Sequence, residues 1–435
     1  MKKITRREVL KYIGAGAAMT AVPISGCLGS DKIPIGSLLP LSGNLKDFGP
    51  PMNNGVKLAV MRVNENNGGV QIEENGEKIK KEIEVIQEDS KTASQAANSA
   101  LQKLVNVNAV PAFVGAAGSG VSKSIVETSI NNEVVQISPS NTSPYFTTLE
   151  DNGYYWRTCA SDELQAAAMA KYAKKEKGYE TASTLYINNS YGQGFSDQFT
   201  KWFQDNLGGE VINTVGYSGD ASSYSSEVGT IAEGDPDLVV LVGYPEEGSI
   251  ILSEAYQNGM LEEADWLLSE GLRSGDLADQ VGTKEGGGYI AEGMMGTTPD
   301  PRAASDAYDD FQQHYDTEFG KAPSTFVPHS YDAASLIMLA MEKAGEASGP
   351  AIKNNLMEVA NSPGTEVFDL VEGIELLREG EEINFYGSGG MQDFNEVGDV
   401  TSTFALWSIN SEGKIELGET LPLPQELTPE STTSP

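Results

Sequence analysis

Short β-branched runs alternate with amphipathic stretches along most of this chain. KIPIGSLLPLSG (32–43) reads as a strand closing on a Pro/Gly turn. After it, Val56, Ala59, Val60 and Val63 recur at helical spacing before Gly68-Gly69. IEVIQEDS (83–90) predicts a second strand, and 92–108 a helix opening on a Thr/Ser cap. A strand at 110–115, a helix at 121–132 and a strand from 134 continue the pattern. Beyond Tyr155 it resumes with helices at 162–177, 193–207, 222–233 and 246–259. Between them stand strands at 181–188, 210–218, 236–245 and 265–272. A short helix near 275–281, a strand-like stretch at 288–299 and helices near 303–319, 329–345 and 350–360 follow, before a Gly-rich, strand-like close. Strand–helix alternation with short links predicts parallel βαβ units. At 435 residues the chain is too long for one core, so two parallel-sheet lobes joined by crossing segments are expected.

The two ends depart from this pattern. Residues 1–26 place Lys2, Lys3, Arg6 and Arg7 before a short apolar core at 14–21 that is broken by Gly16 and followed by Pro23. A membrane-spanning helix needs about 20 mostly apolar residues, so the stretch reads as an export signal. The Arg6-Arg7 pair resembles a twin-arginine signal, and Ile24-Ser25-Gly26-Cys27 resembles a lipobox. That resemblance implies cleavage before Cys27, a lipid on its thiol, and a soluble domain held at the extracellular face of the cytoplasmic membrane. Residues 421–435 are Pro- and Thr-rich and read as a disordered tail.

Composition narrows the partners. The formal charge is −34, and −38 beyond the first 26 residues. Such a chain does not suit nucleic acid or an anionic membrane surface, so any membrane contact is expected through the lipid alone. Self-repulsion of this size is screened in about 1 M salt, where the Debye length is about 3 Å, which fits a salt-rich medium. Beyond Cys27 only Cys159 remains, so no internal disulfide can form. With one Cys and two histidines, His314 and His329, no metal site is expected, and both histidines read as surface or packing residues. No cofactor is expected either. GSGGM (387–391) lacks the Lys-Ser/Thr ending and following helix of a phosphate loop and reads as a hairpin turn.

In open α/β sheets ligands sit beyond the carboxyl ends of the strands. The residues found there are Gly118-Ser119-Gly120, Ser138 to Pro144, Asn189 to Gly194, Gly243-Tyr244-Pro245 and Ser269-Glu270-Gly271. They amount to two hydroxyl loops, two tyrosines and one carboxylate, and the free N–H groups of the Gly118-Ser119-Gly120 loop suit an anion such as a carboxylate. They contain no Ser–His–Asp set, nucleophilic Cys or paired carboxylates, so a binding protein rather than an enzyme is expected. Read singly, Ser140 and Thr142 also suit simple caps and turns.

Across nearly the whole chain beyond Cys27, these stretches together resemble the branched-chain amino acid-binding solute-binding lipoproteins of ABC importers. The match rests on IGSLLPLSG…FG…NGVKLAVMRVNENNGG, VGAAGSGVSKSI, ISPSNTSP, YGQGFSDQF, GYPEEG, SEG and HSYDAASLIMLAMEKAG, in this order and spacing. The resemblance implies a type I periplasmic binding fold with two Rossmann-like lobes on parallel central sheets. Lobe 1 is then expected at 33–158 and 297–390, and lobe 2 at 159–296 and 391–420, with 27–32 as a tether. It further implies that Ser119, Ser140 and Thr142 grip a ligand carboxylate, that Tyr191 closes over the ligand, and that Glu270 meets its ammonium. Tyr244 and Phe48 match pocket positions, and the partners implied are a small amino acid and the permease subunits. The chain departs from some relatives in having no cysteine pair in lobe 1 and a serine run reduced to Ser119-Gly120-Val121. The alternatives are the same fold holding a short amide or urea, and a ligand-sensing domain.

Overall fold

The computed structural model describes residues 32–300, 302, 305–424 and 427. The expected export signal with Arg6 and Arg7, the anchor Cys27 and most of the expected tail lie outside the described residues.

The first βα alternation builds β1 (Ile33–Leu39), α1 (Gly49–Asn67), β2 (Val70–Glu74), β3 (Glu77–Lys81), β4 (Ile83–Asp89) and α2 (Ser94–Asn106). It continues through β5 (Ala112–Gly115), α3 (Ser119–Asn131), β6 (Val135–Ser138) and β7 (Tyr155–Arg157). Strands in the order β4-β1-β5-β6-β7 make a wholly parallel sheet. Its inner strands β5 and β6 are buried at every residue, as a sheet covered on both faces requires.

The second alternation runs α4 (Asp162–Lys171), β8 (Thr181–Ile187), α5 (Ser190–Thr200), β9 (Glu210–Tyr217), α6 (Ser225–Ala232) and β10 (Leu238–Val242). It goes on with α7 (Pro245–Gln257), α8 (Met260–Glu263), β11 (Asp265–Leu268), α9 (Leu277–Val281) and β12 (Met295–Pro299). The chain then adds α10 (Ser305–Phe319), α11 (Val327–Ala344), α12 (Gly349–Ala360), β13 (Thr365–Val367), α13 (Leu370–Glu379), β14 (Ile383–Gly387) and β15 (Gly390–Met391). It returns as β16 (Phe404–Ile409) and β17 (Ile415–Leu421). The second sheet has the order β17-β16-β12-β11-β10-β8-β9, parallel except at one edge, where β16 pairs antiparallel with both β12 and β17. The apolar α11 is buried along most of its length, as a core helix that is hydrophobic all round must be.

Most expected elements appear with shifted ends. The strand expected at 236–245 stops at Val242 because Pro245 opens α7, and the one expected at 288–299 is confined to 295–299. The β2–β3 hairpin and α13 are additions to the expected pattern. GSGGM does form a hairpin turn, between β14 and β15. Cys159 is a free, buried thiol, His314 lies half-exposed on α10, and His329 is buried on α11. Among the described residues no helix is long and apolar enough to cross a membrane, and no group of His, Cys, Asp or Glu is placed to hold a metal ion.

Candidate functional site

Each sheet reverses its winding once. In the first, β1 is flanked by β4 and β5; in the second, β8 is flanked by β9 and β10. Loops leaving the two strands at such a switch point diverge and leave a crevice. Phe48 follows β1 and Ser119 follows β5, whereas Tyr191 follows β8 and Tyr244 follows β10. These four expected residues therefore stand at the switch points, Ser140 and Thr142 follow β6 and Glu270 follows β11 one strand further along, and residues from both sheets meet in one cavity.

The polar wall of that cavity is Ser119, Ser140, Tyr191, Tyr244 and Glu270, and its apolar wall includes Leu45, Phe48, Met52, Ala117 and Phe326. Thr142 is not in the wall but is buried, with its hydroxyl near the Asp162 carboxyl. Six of the seven predicted ligand residues thus share one surface, and the seventh lies behind it.

Local chemistry fixes each of these groups. Asn189 caps α5, its Oδ1 accepting from the amides of Tyr191 and Gly192 at 3.0 Å each. The Tyr191 hydroxyl donates to Ser269 Oγ at 2.9 Å, and its ring stacks on Tyr244 with centroids 5.7 Å apart. Gly271 permits this approach, since a Cβ there would lie 2.5 Å from the Gly243 carbonyl oxygen. In the first lobe the Ser140 hydroxyl and the Asn141 side-chain amide both donate to the Ala117 carbonyl, at 3.1 and 2.7 Å. The 141–143 loop is held from beneath by the fully buried Arg157, whose Nη1 donates to the carbonyls of Asn141 and Ser143 at 2.9 Å. Arg157 Nε and Nη2 are already occupied by Asp399, at 2.6 and 2.7 Å.

The electrostatics are one-sided. Glu270 is 2% exposed, and its Oε2 accepts from Gln165 Nε2 at 2.8 Å. Burial, opposed in part by hydrogen bonding, pushes its carboxyl from an ordinary 4.5 up to about 7. Asp162, at the first turn of α4, is fully buried, with the Thr142 hydroxyl as its nearby side-chain donor. Burial first, and the nearby Glu270 charge second, push it well above the ordinary carboxylate range. No lysine or arginine lines the cavity. At the opposite wall the first turn of α3 begins at Ser119, where the helix dipole and hydroxyls favour an anion. The site can therefore hold a cation at Glu270 and an anion at Ser119, with an apolar group between.

Strand-end inspection missed Asp162, Gln165, Met52 and Phe326. The Asp162 and Gln165 side chains come from the start of a crossing helix, Met52 from the first turns of α1, and Phe326 from the residue before α11. Contacts cross the cleft beside the cavity: the Ser143 hydroxyl donates to the Ser190 carbonyl at 2.7 Å, and Asn44 meets Glu247 and the Gly219 carbonyl.

The sequence profile of the periplasmic binding proteins matches residues 32–373. A Leu/Ile/Val-binding protein, BraC3, of Rhizobium johnstonii is 28% identical over 392 residues, covering 89% of this chain and 94% of the relative. A chemotactic signal transduction system substrate-binding protein, BasB, of Halobacterium salinarum is 26% identical over 398 residues, covering 89% of each. Among solved structures, the leucine-binding protein LivK of Thermotoga maritima aligns with a TM-score of 0.75 at 23% identity, over 91% of this chain and all of the other. This likeness, with the two parallel sheets, establishes the type I periplasmic binding fold. The chain belongs to the periplasmic binding protein family, whose members bind solutes and are not enzymes.

Proposed function

We propose that this protein is the extracytoplasmic receptor of an ABC importer, closing two lobes on a small aliphatic amino acid and passing it to the permease. The single observation that carries the reading is Glu270, a buried carboxylate in the wall of a cavity lined by no basic residue, with Asp162 buried beside it. A carboxylate ionised there without a counter-ion costs several kcal/mol, and a ligand ammonium removes that cost. Ser119, Ser140 and Thr142 would take the carboxylate, Tyr191 and Tyr244 cover it, and Leu45, Phe48, Met52 and Phe326 surround the side chain. Relatives named for leucine, isoleucine and valine support the aliphatic preference. In this reading residues 33–158 with 297–390, and 159–296 with 391–420, are the closing lobes. Cys27 carries the lipid after twin-arginine export through Arg6 and Arg7, placing the receptor on the outer face of the membrane. The acidic surface adapts it to salt.

Calorimetric titration of leucine, isoleucine, valine, alanine, phenylalanine, glutamate, acetamide and urea tests this in about 2 M salt. Heat with the aliphatic amino acids alone is expected; heat with amides or urea and none with amino acids transfers the assignment to a neutral solute. A Cys27→Ser form should leave the membrane fraction, and its retention there would contradict the anchor. One observation favours a second reading: the Halobacterium relative is named for chemotaxis, so the ligand-bound form could report to a transducer. Leucine uptake by cells deleted for the gene separates the two, since only the transport reading predicts its loss.

A further inference from the structure

Phe326 is the wall of two cavities. It lines the cleft site and also a second cavity bordered by Arg273, Thr298, Tyr308 and His329. The polar groups around this second space are incompletely used. Arg273 Nη1 donates to Thr325 Oγ1 at 2.7 Å, while its buried Nε has no partner. The Thr298 hydroxyl and both ring nitrogens of His329 are buried and unpartnered too, at residues 0% and 3% exposed.

The nearest carboxylate is already committed. Asp300 accepts from Arg302 Nε at 2.8 Å, from Arg302 Nη2 at 2.9 Å and from Thr420 Oγ1 at 2.8 Å. Among the described residues Arg273 makes no ion pair. A protein with a formal charge of −34 thus keeps a guanidinium in a cavity wall without a carboxylate of its own. Enclosed water could satisfy the hydroxyl and the imidazole, but it supplies no charge, and a buried cation without a counter-ion is costly. Burial accordingly presses Arg273 below the ordinary arginine value and holds His329 neutral, near 4.

We infer that the cavity behind Phe326 is a binding subsite for one small anion, halide- or carboxylate-sized, held by Arg273 Nε with the Thr298 hydroxyl and a His329 ring N–H. The inference stands apart from the amino-acid reading of the cleft. Because Phe326 borders both spaces, the anion has two sources: free in solution, or the side-chain carboxylate of a solute that displaces the ring.

Chlorine-35 NMR line broadening on the purified protein tests it, with ionic strength held constant by sodium gluconate and leucine titrated calorimetrically on the same sample. Saturable chloride broadening that bromide displaces, and that Arg273→Gln removes while leucine binding persists, is the expected result. Thr298→Val, a milder change, should weaken the same signal and keeps the test valid if Arg273→Gln does not fold. Displacement of chloride by L-glutamate but not by L-leucine assigns the anion to the solute's side chain; displacement by bromide and acetate alone assigns it to the medium. Absence of saturable broadening in the unaltered protein, or equal broadening in it and both variants, overturns the inference.

Discussion

Two carboxylates in this molecule are equally hidden and equally pushed up, yet they do opposite things. Asp332, fully buried on α11, is raised by burial from 3.8 to about 7; Glu270 in the cleft is raised from 4.5 to about 7. Asp332 accepts from the Ser388 amide at 2.7 Å, the Ser388 hydroxyl at 2.8 Å, the Gly389 amide at 2.7 Å and Gln392 Nε2 at 3.2 Å. The Gly/Ser turn that superficially suggests a phosphate loop is therefore filled by the chain's own anion. Glu270 is less fully engaged: Gln165 donates to it at 2.8 Å and Tyr191 interacts with it, while the neighbouring Asp162 has the Thr142 hydroxyl as its one nearby side-chain donor. Depth of burial does not separate scaffold from site here. What separates them is how much of each carboxylate the protein has already satisfied.

The comparison breaks most visibly on substitution. Glu270→Gln should weaken amino-acid binding by about 2–5 kcal/mol, roughly thirtyfold or more in Kd, since a buried charge partner is removed. The melting temperature of the ligand-free protein should not fall, and calorimetry beside thermal denaturation reads both effects. Asp332→Asn should do the reverse. It places donors opposite donors, costs about 1–3 kcal/mol of stability in denaturant unfolding, and leaves the Kd unchanged. Loss of binding with Asp332→Asn, or loss of stability with Glu270→Gln, would erase the distinction.

The pH dependence sharpens it. A carboxyl raised from its unfolded value to about 7 binds its proton more tightly when folded. The stability it contributes is complete below about 4.5 and is lost as pH rises through 7. The ligand-free protein should therefore melt at lower temperature at pH 8 than at pH 5. Amino-acid affinity should rise over the same interval, because the ammonium meets a carboxylate already ionised. Glu270→Gln should flatten the affinity profile and leave the Asp332 part of the stability profile. The smallest effect is expected at the lobe edge. Asn44→Ala removes contacts to Glu247 and Gly219 and should cost about 0.5–1.5 kcal/mol, seen as faster ligand release in stopped flow.

Much of this was legible before any coordinates. Residues directly after parallel strands could be named because α/β topology sends them to a crevice, and Phe48, Ser119, Ser140, Tyr191, Tyr244 and Glu270 do line one cavity. Asp162 was not legible that way. It follows Ser161, whose side chain caps α4, and an acid at the first turn of a helix reads as an ordinary dipole partner. Phe326 depends on a backbone that turns through φ 63° before α11, which no periodicity reveals in a bulky residue. The β2–β3 hairpin was readable: Asn75-Gly76, at φ 56° and 82°, is a strong two-residue turn signal that the surrounding strand–helix alternation hides.

The cross-cleft contacts carry one last consequence. Ser143 with Ser190, and Asn44 with Gly219 and Glu247, are polar bridges the lobes can make whether or not cargo lies between them. Shutting on nothing would still strip water from Glu270 and Asp162 and offer them no positive charge in return. Small-angle scattering should then find the empty protein more extended at pH 8 than at pH 5, and equal profiles would contradict this. On the proposed reading of the cleft, the two carboxylates would act as a turnstile that stays shut only for a traveller who brings the counter-charge.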